Sequence, residues 1–167
     1  LALADDGSIQ PAARGTPGGF IQHAFDRKDT PGIDPRRQEG PHAHSVDVSP
    51  DGRFAFVCDL GLDQVLIYRL DTARATLSPH GHATLPAGSG PRHFAMHPSG
   101  RFAWCINELS LTVTGFTYDA EAGSLTTIET LSTLPDDVID RRGFTCAEIA
   151  VHPSGRFLYA STRGHDS

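Results

Sequence analysis

The chain has 167 residues, 38% hydrophobic and 20% charged, enough for one packed core and too apolar for a chain that stays disordered. A formal net charge of −6, from 14 Lys and Arg against 20 Asp and Glu, excludes any general attraction to nucleic acid or to an anionic membrane. With 17 Gly and 12 Pro the chain is rich in turns, which argues against long helices.

From the N-terminus, Leu1-Ala2-Leu3-Ala4-Asp5-Asp6-Gly7 has neither an initiator Met nor the charged-then-apolar layout of a secretory leader. Residues 1–40 read as the tail of one repeating unit. Ser45 to Ser49 is the first clear strand, and it runs into the turn Pro50-Asp51-Gly52, where Gly supplies a positive φ. Phe54-Ala55-Phe56-Val57-Cys58 is a second strand, Gln64 to Leu70 a third, and the Leu77 to Leu85 region a fourth. The same order then returns. His97-Pro98-Ser99-Gly100-Arg101-Phe102 and His152-Pro153-Ser154-Gly155-Arg156-Phe157 repeat Ser49-Pro50-Asp51-Gly52-Arg53-Phe54, with the prolines 48 and 55 residues apart. The polar insert 135–143 absorbs the longer step. Behind the second turn come Phe102-Ala103-Trp104-Cys105-Ile106, Thr112 to Tyr118 and Leu125 to Leu134; behind the third comes Phe157-Leu158-Tyr159-Ala160-Ser161.

A period near 50 residues with four short strands per unit predicts an all-β fold, a β-propeller of four-stranded blades. Residues 43–86 and 91–134 make two blades, 1–40 the end of an earlier one and 145–167 the first half of a later one. Such a set does not close a ring, so the chain reads as a fragment of a larger propeller. Three Cys at 58, 105 and 146, with no CxxC, argue against a disulfide framework and for a reducing, cytoplasmic setting. No apolar run is long enough to span a membrane.

The first two strands of a blade are antiparallel, so the start of the first and the end of the second lie on one face of the disc. Residues that differ between repeats gather there. The first strands begin with Pro41-His42-Ala43-His44, Gly90-Pro91-Arg92-His93 and Cys146-Ala147-Glu148. The second strands end at Asp59, Asn107-Glu108 and Thr162-Arg163-Gly164-His165. His44 aligns with Arg92, His93 with Glu148, and Glu108 with Arg163. Divergence confined to one rim points to a site. Imidazoles, guanidiniums and carboxylates together suit proton transfer to or from water, with Arg holding a carboxylate, a phosphate or an oxyanion.

Other chemistries fit less well. There is no Gly-x-Ser-x-Gly elbow, and Gly88-Ser89-Gly90 opens no helix, so neither a serine hydrolase nor a dinucleotide loop is expected. His42 and His44, with Asp47 near, have a spacing that could hold a metal, but two ligands on one strand arise readily among nine His, and no metal or cofactor is expected. His97 and His152 stand where Ser49 stands and read as turn caps. Asp59 and Asn107 read equally as turn formers or site residues. Asp51, Arg53, Arg101 and Arg156 flank surface turns, and His80 and His82 lie away from the channel. Phe56, Trp104 and Tyr159 share one repeat position and read as inter-blade core, and the three Cys as small buried hydrophobes.

Taken together, Arg37-Gln38-Glu39-Gly40-Pro41-His42-Ala43-His44-Ser45, Gly90-Pro91-Arg92-His93, Asn107-Glu108-Leu109-Ser110 and Arg163-Gly164-His165-Asp166-Ser167 resemble the seven-bladed lactonase family. That family includes the propeller-type 6-phosphogluconolactonases and the fungal carboxy-muconate cyclases. The resemblance runs in order from Gln22 onward. It implies a seven-bladed ring and a small anionic lactone or sugar acid as partner, with no nucleic acid and no membrane. By resemblance to the cyclase branch, the acid/base and anion-binding group falls on His44, Arg92, Glu108 and Arg163, with His42, His93, Asn107 and Glu148 as substrate-binding support. Thr162 departs from the Asn the family often carries before Arg163. The leading expectation is lactone hydrolysis, Glu108 or His44 assisting a water while Arg92 and Arg163 hold the anion. A muconate-type cycloisomerase and a non-catalytic binding propeller are the alternatives.

Overall fold

The computed structural model describes residues 2–10, 21–24 and 34–165. Asp166 and Ser167 of the fourth motif lie outside the described residues, as do 11–20 and 25–33 of the expected 1–40 tail. Strands and turns account for the described residues. A short hairpin, β1 (Ala2–Leu3) and β2 (Ile9–Gln10), comes first. Then β3 (Ala43–Val48), β4 (Phe54–Asp59), β5 (Gln64–Asp71) and β6 (Thr76–Thr84) form one four-stranded antiparallel sheet in chain order. A second such sheet follows from β7 (Pro91–Met96), β8 (Phe102–Asn107), β9 (Thr112–Asp119) and β10 (Ser124–Ser132). Last come β11 (Thr145–Val151) and β12 (Leu158–Arg163), paired with each other.

The hexapeptide turns recur in geometry as well as in letters. Gly52, Gly100 and Gly155 have φ of 69°, 67° and 71°. Each donates its N–H at 2.8 Å to the carbonyl of the residue three before it. That first residue also caps the turn with its side chain. Ser49 Oγ bonds Asp51 at 2.6 Å, while His97 and His152 use Nδ1 on Ser99 and Ser154 at 2.7 and 2.8 Å. His97 goes further, placing Nε2 3.0 Å from the Gly155 carbonyl of the next sheet. Both histidines thus cap their turns, and His97 also bridges two sheets.

The sheets pack face to face through the side chains their strands alternate inward. Phe54, Phe56, Cys58, Val65, Ile67, Phe94, Cys105 and Phe116 form the core between the two four-stranded sheets. Ile106, Leu111, Leu134, Cys146 and Ile149 fill the interface toward β11–β12, with Trp104 against them. Of the three residues at the shared repeat position, Phe56 is wholly buried and Trp104 partly so, whereas Tyr159 on β12 is 57% exposed. The cysteines are free and buried, Cys58 and Cys105 with sulfurs 3.5 Å apart. β7 packs against both β3 and β11, so the first strands of the three sheets converge.

One segment outside the sheets positions the site. Residues 34–42 lead into β3 and are pinned by the buried Gln38, whose amide donates to Leu60 O at 2.8 Å and Asp63 Oδ1 at 2.9 Å. Asp63 also accepts from Gly88 N and Gly90 N, both at 2.7 Å, tying the segment to the start of β7. Gly61 lies so close beneath it that a Cβ would sit 1.8 Å from Gly40 O. Gly61→Ala is therefore expected to push the segment outward and lower stability by about 1–3 kcal/mol. A thermal melt checks this, and an unchanged Tm would mean that the segment yields freely.

Candidate active site

The first strands β3, β7 and β11 are bulged at the same place in their three sheets. The ladder slips between Ala43 and Ser45, between Pro91 and His93, and between Cys146 and Ile149. The unpaired residues are His44, Arg92, and Ala147 with Glu148. A bulge releases a residue from its cross-strand partner and re-aims its side chain, and bulges concentrate beside active sites. The second strands end opposite, in the pairs Ala43–Asp59, Pro91–Asn107 and Thr145–Arg163. The rim reading therefore has a structural cause in the ladder itself.

Glu108 is the hub. It follows β8 directly and its side chain is 2% exposed. Its backbone is held at both ends, N–H to Gly90 O at 2.7 Å and carbonyl from Cys146 N at 3.1 Å. Its carboxylate meets three guanidiniums. Arg37 from the 34–42 segment donates to Oε1. Arg92 Nε donates to Oε2 at 2.8 Å, and Arg163 Nη2 lies 3.3 Å from the same oxygen. Arg92 Nη1 also donates to Ala147 O at 2.6 Å, and Arg163 Nη2 to Cys146 O at 3.0 Å. Three cations on one carboxylate leave two positive charges in excess. Arg37 and Arg163 stay 43% and 51% exposed, with donors to spare for an incoming anion.

Beside the hub stands a second pair. His93 Nδ1 lies 2.7 Å from Glu148 Oε1, and its Nε2 lies 3.3 Å from Arg92 Nη1. The His44 ring tilts against that of His93, centroids 5.2 Å apart. Burial first, and then the charge of Arg92, hold the His44 imidazole below its ordinary pKa, which favours its neutral form. Burial works to raise the Glu148 carboxyl, but hydrogen bonds from His93 and from Ile149 N–H outweigh it and hold the group down. Asp47, three residues beyond His44 on β3, is pushed up by burial while His93 pulls against the shift.

Six of the eight site residues read from the sequence thus meet: His44, Arg92, His93, Glu108, Glu148 and Arg163. The other two stand apart. His42 pairs through Nε2 with Glu39 at 3.2 Å. Asn107 is wholly buried inside the sheet, donating to Thr112 Oγ1 and Thr114 Oγ1 at 2.9 Å each. Asp59 is a turn former, since its Oδ1 takes the N–H groups of His42, Gly61 and Leu62 at 2.8, 3.0 and 3.1 Å. Its other oxygen receives His23. The bulge at His44 also breaks the alternation that would set His42 and His44 on one face. Among the described residues no group of three His, Cys, Asp or Glu side chains could hold a metal, and no helix is long and apolar enough to cross a membrane. Arg37 is the residue the sequence reading did not single out. Carrying the repeat comparison upstream sets it against the buried Leu85, a divergence as sharp as those on the rim.

The family profile described as Lactonase, 7-bladed beta-propeller matches residues 6–167. The chain belongs to the seven-bladed β-propeller lactonase family. Among curated lactonase relatives, it is 37% identical over 131 residues to a 6-phosphogluconolactonase of Bacillus subtilis (strain 168), covering 78% of this chain and 36% of that protein. It is 41% identical over 122 residues to a 6-phosphogluconolactonase of Pectobacterium carotovorum, covering 72% of this chain and 36% of that one. The solved periplasmic gluconolactonase of Pseudomonas aeruginosa superposes with a TM-score of 0.81 at 31% identity, over 99% of this chain and 43% of its own. The chain thus spans under two fifths of the length of these two curated lactonases. It is a stretch of lactonase propeller with three sheets meeting at one rim.

Proposed function

We propose that this chain carries the anion-binding and proton-transfer face of a lactone hydrolase acting on a sugar lactone such as 6-phosphogluconolactone. The observation that carries this reading is the Glu108 hub, which gathers Arg37, Arg92 and Arg163 beside two imidazoles. Hydrolysis of a lactone builds negative charge on the carbonyl oxygen as water adds, and donors fixed beforehand lower that barrier. Arg92 is the best fixed of the three, 18% exposed and held by both Glu108 and Ala147 O. It is placed to receive the oxyanion, while Arg37 and Arg163 draw in an acidic or phosphorylated substituent. Glu108 orients all three. The names of the relatives support the substrate class.

The test is hydrolysis of 6-phosphogluconolactone by the intact protein, corrected for the spontaneous rate, with and without chelator. Turnover that survives chelation is expected, and Arg92→Ala should lower kcat/KM by about 10²–10³. An unaltered rate in that variant removes Arg92 from the site. No lactone hydrolysis, with loss of ultraviolet absorbance from a muconate instead, would reassign the same arginines to a cycloisomerase. Three free buried thiols support a cytoplasmic location, which fractionation of the source cells would check.

A further inference from the structure

Accepting the lactonase reading leaves open which group takes the proton of the attacking water. Glu108 is unsuited. Its side chain is only 2% exposed and closed over by three guanidiniums, so a water attacking a bound lactone cannot reach its oxygens. We propose that His93 is the general base and that Glu148 is the residue positioning it, a dyad formed across β7 and β11.

The tautomer follows from the contacts. An arginine guanidinium can only donate, so the approach of Arg92 Nη1 to His93 Nε2 at 3.3 Å marks that nitrogen as the unprotonated one. The proton then sits on Nδ1, where Glu148 Oε1 accepts it at 2.7 Å. The Arg92 contact is long, and a carbonyl oxygen that takes up Arg92 Nη1 frees the Nε2 lone pair for water, so an imidazole oriented by a carboxylate on Nδ1 is left as the water-activating base. Base and oxyanion donor are near neighbours on one bulged strand, so one lactone carbonyl can meet both. The His44 ring packs against that of His93, and Asp47 lies along the same strand as His44. In the reaction, water attacks the carbonyl carbon and its proton passes to His93 Nε2 as the new C–O bond forms. The carbonyl oxygen takes up the negative charge against Arg92. The ring C–O bond then breaks, and the proton on Nε2 returns to the departing ring oxygen, giving the hydroxy acid.

The experiment uses the intact protein and 6-phosphogluconolactone. His93→Gln is expected to lower kcat about 100-fold or more with little change in KM. His93→Gly, equally depressed, should recover rate on addition of free imidazole, which a merely structural role would not permit. Glu148→Ala should lower kcat with KM held, and Glu148→Asp should recover part of the loss. Circular dichroism melts of each variant confirm that the fold persists. A His93→Gln rate within a few-fold of the parent overturns the assignment. So does imidazole rescue that appears in His44→Gly rather than in His93→Gly, or its absence in a folded His93→Gly. A parent protein that hydrolyses no lactone is a different failure, and it falls on the lactonase reading itself.

Discussion

Glu108→Ala is expected to remove about 2–4 kcal/mol of stability together with most of the activity, the widest damage from one residue in the site. Three guanidiniums from three separate parts of the chain converge on this carboxylate: Arg37 from the segment before β3, Arg92 from β7 and Arg163 from β12. Without it they face each other as uncompensated like charges, two of them half exposed, which is why the expected loss is below that of a fully buried pair. The preceding blade shows that the fold has no need of a carboxylate there. Leu60 occupies the equivalent place, its N–H bonded to His42 O at 2.9 Å as that of Glu108 is to Gly90 O, and it is 1% exposed. The carboxylate serves the arginines. Thermal melts and lactone hydrolysis of the variant check this, and a Tm equal to the parent's would show that the hub does not hold the three elements together.

Phe56→Ala is expected to cost about 3–5 kcal/mol with no direct effect on chemistry. The ring is 0% exposed and lies at the centre of the inter-sheet core, stacked 4.9 Å from Phe94 and met edge-on by Tyr118 at 5.3 Å. Truncation loses the transfer free energy of the ring and leaves a cavity between two sheets that their ladders keep from closing. Urea unfolding should show a lowered midpoint with the m-value retained. A loss under about 1 kcal/mol would mean that the sheets slide to fill the gap.

The architecture was legible because the turn is chemically demanding. A hexapeptide that needs Pro, a positive-φ Gly and a side-chain cap is hard to meet three times by chance, and it phased every strand around it. Strand ends were less legible. β4 and β8 run on to Asp59 and Asn107, residue types that read as turn formers, because their backbones still pair with the first residues of β3 and β7. The repeats disagree along the whole rim, and that divergence does not separate neighbours. Asn107 and Glu108 are adjacent on the rim, yet one points into the sheet at Thr112 and Thr114 and the other at the arginines. Roles stayed hidden for a further reason. His93 meets Glu148 across 55 residues and Arg37 meets Glu108 across 71, pairings that nothing local encodes. The bulges were invisible too, since each sits at the first rungs of its strand, ahead of the apolar alternation that marks it.

Those bulges separate what the frame requires from what the rim can vary. At an ordinary rung, a change of side chain is felt by its cross-strand partner. At the bulged rung there is no partner, so this position holds His44 in one sheet, Arg92 in the next and Ala147 in the third over the same hairpin and turn. A lineage of such propellers can therefore change its reagents by single substitutions at three known rungs while inheriting the ring unaltered, and a designer can do the same.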